Sequence, residues 1–498
     1  MLFPPYIILV LLTYLVSVHA ACTVLDISSA SNQSTTTILS AQLQAQSLLS
    51  QPTSQVKCVT VLLTGRTFIQ SLSLTTLDNR TRWIGGTFTD AIDIPSCMWT
   101  KTSKTSTSTT TTLQQQHSLN LNNFNISTSH LGDDVSTQHF QLLVQMPITK
   151  EWRPMIYARF PNIPFFYKDK EIPPVNWTKV GTVPDDPQCG LHCQRFTWSN
   201  KTNQPMRWVK AAAEGRLYVQ GLFKYMWRDN RVGIDHVDVQ KRQLSTLSPT
   251  IGVSGVYPGA LYFAYGMSLV EELDTPGEFA IDRNSMKLSA IVPDTCIDAN
   301  HQMICRTRVV VVVSPSQSSS ASLLSIRDAN DILLTNMTVM GSSRKVGVEI
   351  ISSSNIHIEQ CTFNNLVQAI DVDMSYNISL RRSSISFIMG TAMSLDASSS
   401  SGDVASSHRI LLTSNYYLIE NNIFQYFGRW KYTYQPGVKI NNNAVGVVVR
   451  KNLFHSCYHA ALLFGGNDHV FELNEFRNVV TMGYGKCVYV CGVCYVVT

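Results

Sequence analysis

Apolar positions near the C-terminal end of the chain recur at a long, uneven period. Three segments align as apolar-x-charged-x-Asn-x-Phe. They are Leu418-Ile419-Glu420-Asn421-Asn422-Ile423-Phe424, Val448-Val449-Arg450-Lys451-Asn452-Leu453-Phe454 and Val470-Phe471-Glu472-Leu473-Asn474-Glu475-Phe476. Weaker copies end at Val339, Phe363 and Ile385, so the anchors are spaced 24, 22, 39, 30 and 22 residues apart. A base step near 22 with insertions at a fixed phase is the mark of coils that cannot bury their apolar face alone and must stack. The pattern predicts an all-β fold, a parallel β-helix. Asn422, Asn452 and Asn474 should form an internal amide ladder between coils, and Glu420, Arg450 and Glu472 a stacked ion ladder. Polysaccharides commonly lie along the side of such a solenoid.

Other segments carry a different texture. Residues 57–87 read as short strands: Val59-Thr60-Val61-Leu62-Leu63 is apolar and Leu72-Ser73-Leu74 alternates. Thr100–Thr112 is almost pure Ser, Thr and Lys and reads as a loop. Residues 140–310 are rich in Trp, Tyr and Pro, lack the 22-residue step and show little helical periodicity. The expected layout is therefore first coils of the β-helix over 21–98, a β-rich insertion over 99–310, and further coils over 311–498.

Composition narrows the class. Of the 498 residues 15% are charged, the formal net charge is +5, and no Lys/Arg cluster forms a stripe, which argues against a nucleic-acid partner. The apolar run up to Val18-His19-Ala20 reads as a secretory signal peptide over 1–20, although it lacks a positive start; the alternative is an uncleaved anchor. No later stretch is long enough to span a membrane. Seven Asn-x-Ser/Thr sequons, at Asn32, Asn79, Asn125, Asn176, Asn200, Asn336 and Asn377, fit a secreted glycoprotein. In that compartment the twelve cysteines allow local disulfides such as Cys189–Cys193 and Cys296–Cys305. Cys361 and Cys457 read as small buried fillers. Cys487-x3-Cys491-x2-Cys494 lacks partner ligands at a zinc-site spacing, so no metal and no cofactor is expected.

Three segments carry a family resemblance: Arg153-Pro154-Met155-Ile156-Tyr157-Ala158-Arg159-Phe160-Pro161-Asn162, then Gly221-Leu222-Phe223-Lys224-Tyr225-Met226-Trp227-Arg228-Asp229, and Glu272-Leu273-Asp274-Thr275-Pro276-Gly277-Glu278-Phe279-Ala280-Ile281-Asp282-Arg283. With Gly465-Gly466-Asn467-Asp468-His469, they resemble the secreted right-handed parallel β-helix proteins related to β-helix glycoside hydrolases. The third segment resembles that group's Leu-Asp-x-Pro-Gly-Glu-Trp-x-x-Asp signature, with Phe279 in place of Trp. The resemblance covers roughly 55 to 480 and implies an insertion that closes against the solenoid. It also implies further coils after residue 480, where this chain ends on an apolar tail; C-terminal coils are therefore expected to be missing, with a possible loss of activity.

Glycoside hydrolysis needs two carboxylates, about 5–5.5 Å apart for retention and about 6.5–9.5 Å for inversion. Neighbouring coils stack about 4.8 Å apart. By phase from the anchors, Asp373 and Asp396 are near-stacked neighbours and Asp468 lies on the same side two coils on. Asp468 is the first choice for the catalytic carboxylate and Asp396 the second, with Asp373 beside them and His469 or His459 as orienting partner. Lys439, at similar phase, and Trp430 and Tyr432, as a sugar platform, complete the substrate-binding candidates with His459. Each has a structural alternative: Asp396 and Asp468 suit turns, and the aromatic rings suit loop packing. The leading function is an extracellular glycoside hydrolase-like protein, expected as a monomer, acting on a polysaccharide. One alternative is a polysaccharide lyase, with Lys439 as base and Ca²⁺ held by acids; another is a non-catalytic glycan-binding or surface β-helix.

Overall fold

The computed structural model describes residues 22–26, 37–50, 58–63, 67–68, 71–102, 116–131, 140–160, 195–198, 203–221, 229–247, 264–267, 269–293, 296, 304–311, 322–397, 415–479 and 488–490. Three long parallel sheets form the walls of a solenoid. The first contains Cys22–Asp26, Cys58–Leu62, Thr81–Ile84, Asn330–Thr335, Ser354–Glu359, Tyr376–Arg381, Leu418–Glu420, Val448–Arg450 and Val470–Glu472. The second runs from Thr67–Phe68 to Glu475–Arg477, and the third from Leu72–Leu74 to Val488–Val490. The chain visits first, second and third sheet in turn and then starts the next coil.

Sequence periodicity placed the anchors correctly. Val339, Phe363, Ile385, Phe424, Phe454 and Phe476 are in direct register along the second sheet. The Phe424 and Phe454 rings stack at 4.9 Å and 9°, and Phe454 and Phe476 at 5.4 Å and 12°. Strands this short alternate between an inward apolar and an outward polar residue, which fills the core and leaves the outer faces for chemistry. Between first and second sheets the corner is a single left-handed residue in coil after coil: Asn336, Gln360, Arg382, Asn421, Lys451 and Leu473 all have φ between 50° and 56°. L-residues adopt this conformation singly and at some cost, so the sharp turn needs support from its neighbours.

In the last three coils the asparagine ladder gives that support. Asn422 Nδ2 donates to Asn452 Oδ1 and Asn452 Nδ2 to Asn474 Oδ1, both at 3.0 Å. Asn452 also donates to Ile419 O and accepts from the Asn422 backbone N–H, each at 2.9 Å. Asn452→Ala would leave these buried groups unpaired, at roughly 1–3 kcal/mol for such a loss. We expect a loss near the middle of that range, read as a lower urea midpoint. The ion ladder is present too: Arg450 meets Glu420 at 2.7 Å and Glu472 at 3.6 Å.

An unforeseen helix, Thr37–Ser50, lies at the N-terminal end of the stack. Ile38, Ala41 and Ala45 bury against the solenoid core, and Gln42 and Gln46 bond Asp78 at 3.0 Å each. Its outer residues Leu39 and Leu43 interrupt the polar face, which obscures its period in the sequence. Disulfides join Cys22 to Cys58 and Cys296 to Cys305. Cys361 and Cys457 are buried in the core, as expected of fillers. Cys189, Cys193 and the cysteines at 487, 491 and 494 lie outside the described residues, as do residues 1–20. No helix among the described residues is long and apolar enough to cross a membrane.

The chain leaves the solenoid after Thr87–Phe88 on the second sheet and returns in Ser322–Arg327 on the third. The intervening strands form three sheets of four, five and six strands with mostly antiparallel pairings. Thr100–Thr102, read from the sequence as loop, pairs with Gln116–Asn120. This insertion packs along the corner between the second and third sheets. Asp90 pairs with Arg344 at 2.9 Å, Asn365 Nδ2 donates to Trp152 O at 3.0 Å, and Asp229 accepts from Tyr432 and Thr433 N–H at 2.9 and 3.0 Å.

Candidate functional site

The outer face of the third sheet collects the acidic residues. Strand Ile370–Asp373 turns Ile370 and Val372 inward and Asp371 and Asp373 outward. Register then sets their neighbours. Asp371 lies between Glu349 and Ser394, and Ser394 pairs with Lys439. Val372 pairs with Leu395 and the Asp396 N–H donates to Val372 O at 2.8 Å, so Asp373 and Asp396 are adjacent across one coil step. That step is about 4.8 Å, whereas Asp371 and Asp373 are about 7 Å apart along their strand.

These carboxylates differ in surroundings. Asp373 is held above the usual carboxylate range by burial first and then by the Asp396 charge. Its Oδ1 is buried and meets no hydrogen-bond donor among the described residues, a feature that native structures seldom keep without a use. Burial also raises Asp371, although Gln368 Nε2 donates to it at 3.1 Å and Lys345 opposes the shift. Asp396 is oriented instead: Asn441 Nδ2 donates to one oxygen at 3.0 Å and the Ala397 N–H to the other at 2.8 Å. The buried Tyr417 hydroxyl, donating to Ser375 O at 2.6 Å, braces the loop behind it.

The other sequence candidates fall elsewhere. Asp468 does not join the row. Gly465 follows the strand Leu462–Phe464 and takes the position after Phe464 equivalent to Asn441, and Asp468 lies three residues further into the turn, exposed, with φ 57°. Both ring nitrogens of His469 serve that turn: Nδ1 accepts from Val447 N–H at 3.2 Å and Nε2 donates to Gly465 O at 2.7 Å. Burial holds its pKa below the ordinary histidine value. The glycines are explained by the same packing, since Gly466 has φ 92° and a Cβ there would strike Ala444 O. Lys439 does share the acidic face, in line with Ser394 and Asp371 and diagonal to Asp396.

His459, Trp430 and Tyr432 stand at the opposite end of the third sheet, beneath the insertion. His459 is buried, accepts from Tyr434 N–H at 3.3 Å and is lowered in pKa by burial. Tyr432 is 4% exposed with its ring 4.5 Å from Tyr458. Arg231 lies over the Trp430 ring. Sequence reasoning missed Arg159, Arg231 and Arg429, which line the cavity here, because the first two come from the insertion and their approach depends on how it docks. Among the described residues no group of three or more His, Cys, Asp or Glu could hold a metal ion.

Comparison with known proteins agrees with this architecture. Residues 317–476 match the family model described as right handed beta helix region. The protein is thus a right-handed parallel β-helix by fold. A solved glycoside hydrolase superposes with a TM-score of 0.58 at 12% identity, covering 86% of this chain and 75% of that one. An alginate lyase from Paenibacillus sp. str. FPU-7 gives a TM-score of 0.25 at 15% identity over 31% of this chain and 52% of its own. A tailspike of Acinetobacter baumannii bacteriophage AP22, solved with a capsular saccharide, gives 0.17 at 7% identity over 93% and 57%. No protein of curated function matches the chain.

Proposed function

We propose that this chain is an extracellular carbohydrate-active β-helix protein that hydrolyses glycosidic bonds on the outer face of its third sheet. The observation that carries the reading is the in-register pair Asp373 and Asp396, one coil apart and differently surrounded. A buried carboxyl group beside one oriented by hydrogen bonds suits a division into acid and nucleophile. Asp373, raised by burial, is the carboxyl group placed to give a proton to the leaving oxygen. Asp396, oriented by Asn441 and Ala397, faces the anomeric carbon as nucleophile. A separation near one coil step suits retention of configuration, which requires about 5–5.5 Å between the carboxyl groups. In the first half-reaction the C–O bond breaks as Asp373 protonates the departing sugar and Asp396 forms a glycosyl ester. In the second, water attacks that ester while Asp373 takes its proton. The solved glycoside hydrolase of similar fold and the two disulfides of an oxidising compartment support the reading.

Lys439 on the same face keeps a lyase as the second reading. Product analysis separates the two. Incubation with a panel of polysaccharides should yield new reducing ends without near-ultraviolet absorbance, and Asp396→Asn should abolish them. Products absorbing in the near ultraviolet would establish elimination instead. Glycan binding without product, unchanged in Asp396→Asn, would make the solenoid a binding surface.

A further inference from the structure

We infer that the cavity between the insertion and the solenoid is an anion-binding subsite that receives an acidic group, carboxylate or sulfate, borne by the glycan. The inference extends the hydrolase reading by naming a substrate class. Three arginines from separate parts of the chain line this cavity: Arg159 and Arg231 from the insertion, and Arg429 from the loop between second and third sheets. Tyr157, Trp430 and Tyr432 line it as well, and its described wall contains no Asp or Glu. Arg guanidinium groups bind carboxylate and sulfate-like oxyanions through paired N–H donors, and aromatic neighbours accept the face of a sugar.

Arg429 argues most directly for an anionic ligand. Its guanidinium makes a long hydrogen bond to Phe387 O, at 3.5 Å, and meets no carboxylate in an ion pair among the described residues. The nearby ionisable groups are Tyr432 and Tyr458, and burial brings its pKa down to about 10. Bringing cations together in a partly dry space is costly unless an opposite charge joins them. Of the acids nearby, Asp229 accepts from Tyr432, Thr433 and Gln220, and Glu278, which faces Arg159, accepts through Oε2 from Asp274 and Thr275 N–H while its Oε1 meets no donor among the described residues. Met389 of the cavity wall precedes the strand Met393–Leu395 that leads to Asp396. An oligosaccharide lying along that strand would run from the cavity toward Asp396.

The test is a titration of the Asp373→Asn protein with D-glucose, D-glucuronate and glucose 6-sulfate by isothermal calorimetry, so that binding is read whether or not the wild type turns glycans over. We expect at least one anionic sugar to bind tenfold or more tighter than glucose, the two arms telling carboxylate from sulfate. Arg231→Gln should abolish that preference, and Arg429→Gln should do the same wherever its circular dichroism matches the parent. Equal binding of all three sugars overturns the inference, as does a preference that survives in Arg231→Gln and in folded Arg429→Gln; the arginines then only rivet the insertion. Hydrolysis of neutral glycans with no acid preference would sink this subsite and leave the hydrolase reading standing. Tight glucuronate binding without turnover would do the reverse.

Discussion

Asp373→Asn should lower kcat on any cleaved polysaccharide by about 10²–10⁴-fold, the range for loss of a positioned general acid, with little change in KM. The side chain keeps its shape, so a purely structural residue there would leave the rate almost untouched. The pH profile provides the more selective readout. Asp373 must be protonated to act, and burial with the Asp396 charge raises its pKa. The wild-type rate should therefore fall as pH rises through that raised value. In Asp373→Asn the residual rate should lose this basic limb. Substrates with an activated leaving group, which need no proton, should recover most of the rate of the first half-reaction. Asp468→Asn is the internal control: an exposed turn residue at φ 57° is well served by Asn, and its rate should stay within about twofold of wild type. Equal losses in the two variants would remove the catalytic assignment of Asp373.

The second expectation concerns stability. Glu278, fully buried in the Thr275-Pro276-Gly277-Glu278 turn of the insertion, has its pKa pushed up to about 7 by burial, from an ordinary 4.5. Its Oε2 accepts from Asp274 and Thr275 N–H at 3.3 and 3.2 Å, while Oε1 is buried without a partner among the described residues. The folded state thus binds the proton more tightly than the unfolded chain. The stabilisation is complete below pH 4.5 and is lost as pH rises through about 7. A shift of this size corresponds to about 3 kcal/mol. Glu278→Gln keeps an acceptor for the two N–H groups and carries no charge. It should match wild type near pH 4.5 and exceed it by up to about 3 kcal/mol near pH 9, measured by urea titration at each pH. A pH-independent difference between the two proteins would refute the assignment.

How much of this fold is legible in the sequence depends on how each feature is encoded. The anchors Phe424, Phe454 and Phe476 were legible because every coil repeats the same inward residue at the same corner, and the asparagine ladder because it repeats with them. The stacking of Asp373 on Asp396 was legible for the same reason: counting from an anchor gives phase. Asp468 lies 14 residues past its anchor, and the row of Asp396, 11 past Ile385, is taken 11 past Phe454 by Gly465, so equal side of the solenoid did not mean equal row. Phase also could not say that Trp430 and Tyr432 would meet Arg231 and Asp229, since that contact depends on the docking of an aperiodic insertion. The helix Thr37–Ser50 belongs to the same class, a unique element that no neighbouring copy announces.

The point at which the insertion departs also bears on synthesis of the chain. Phe88 is in place about 230 residues before the next coil strand, Ser322–Arg327, is made, an interval of roughly 10–50 s at ordinary ribosomal speeds. The Asp90–Arg344 pair, 254 residues apart in sequence, can close only after that delay. Throughout it the nascent coils at Cys58–Leu62 and Thr81–Ile84 present an unpaired edge with a dry, apolar interior, the kind of surface that recruits foreign strands. The helix Thr37–Ser50 shields the opposite end from the outset. Yield of folded protein should therefore depend on how quickly the insertion is completed, and holdase chaperones should find this species at its most exposed before the third sheet resumes.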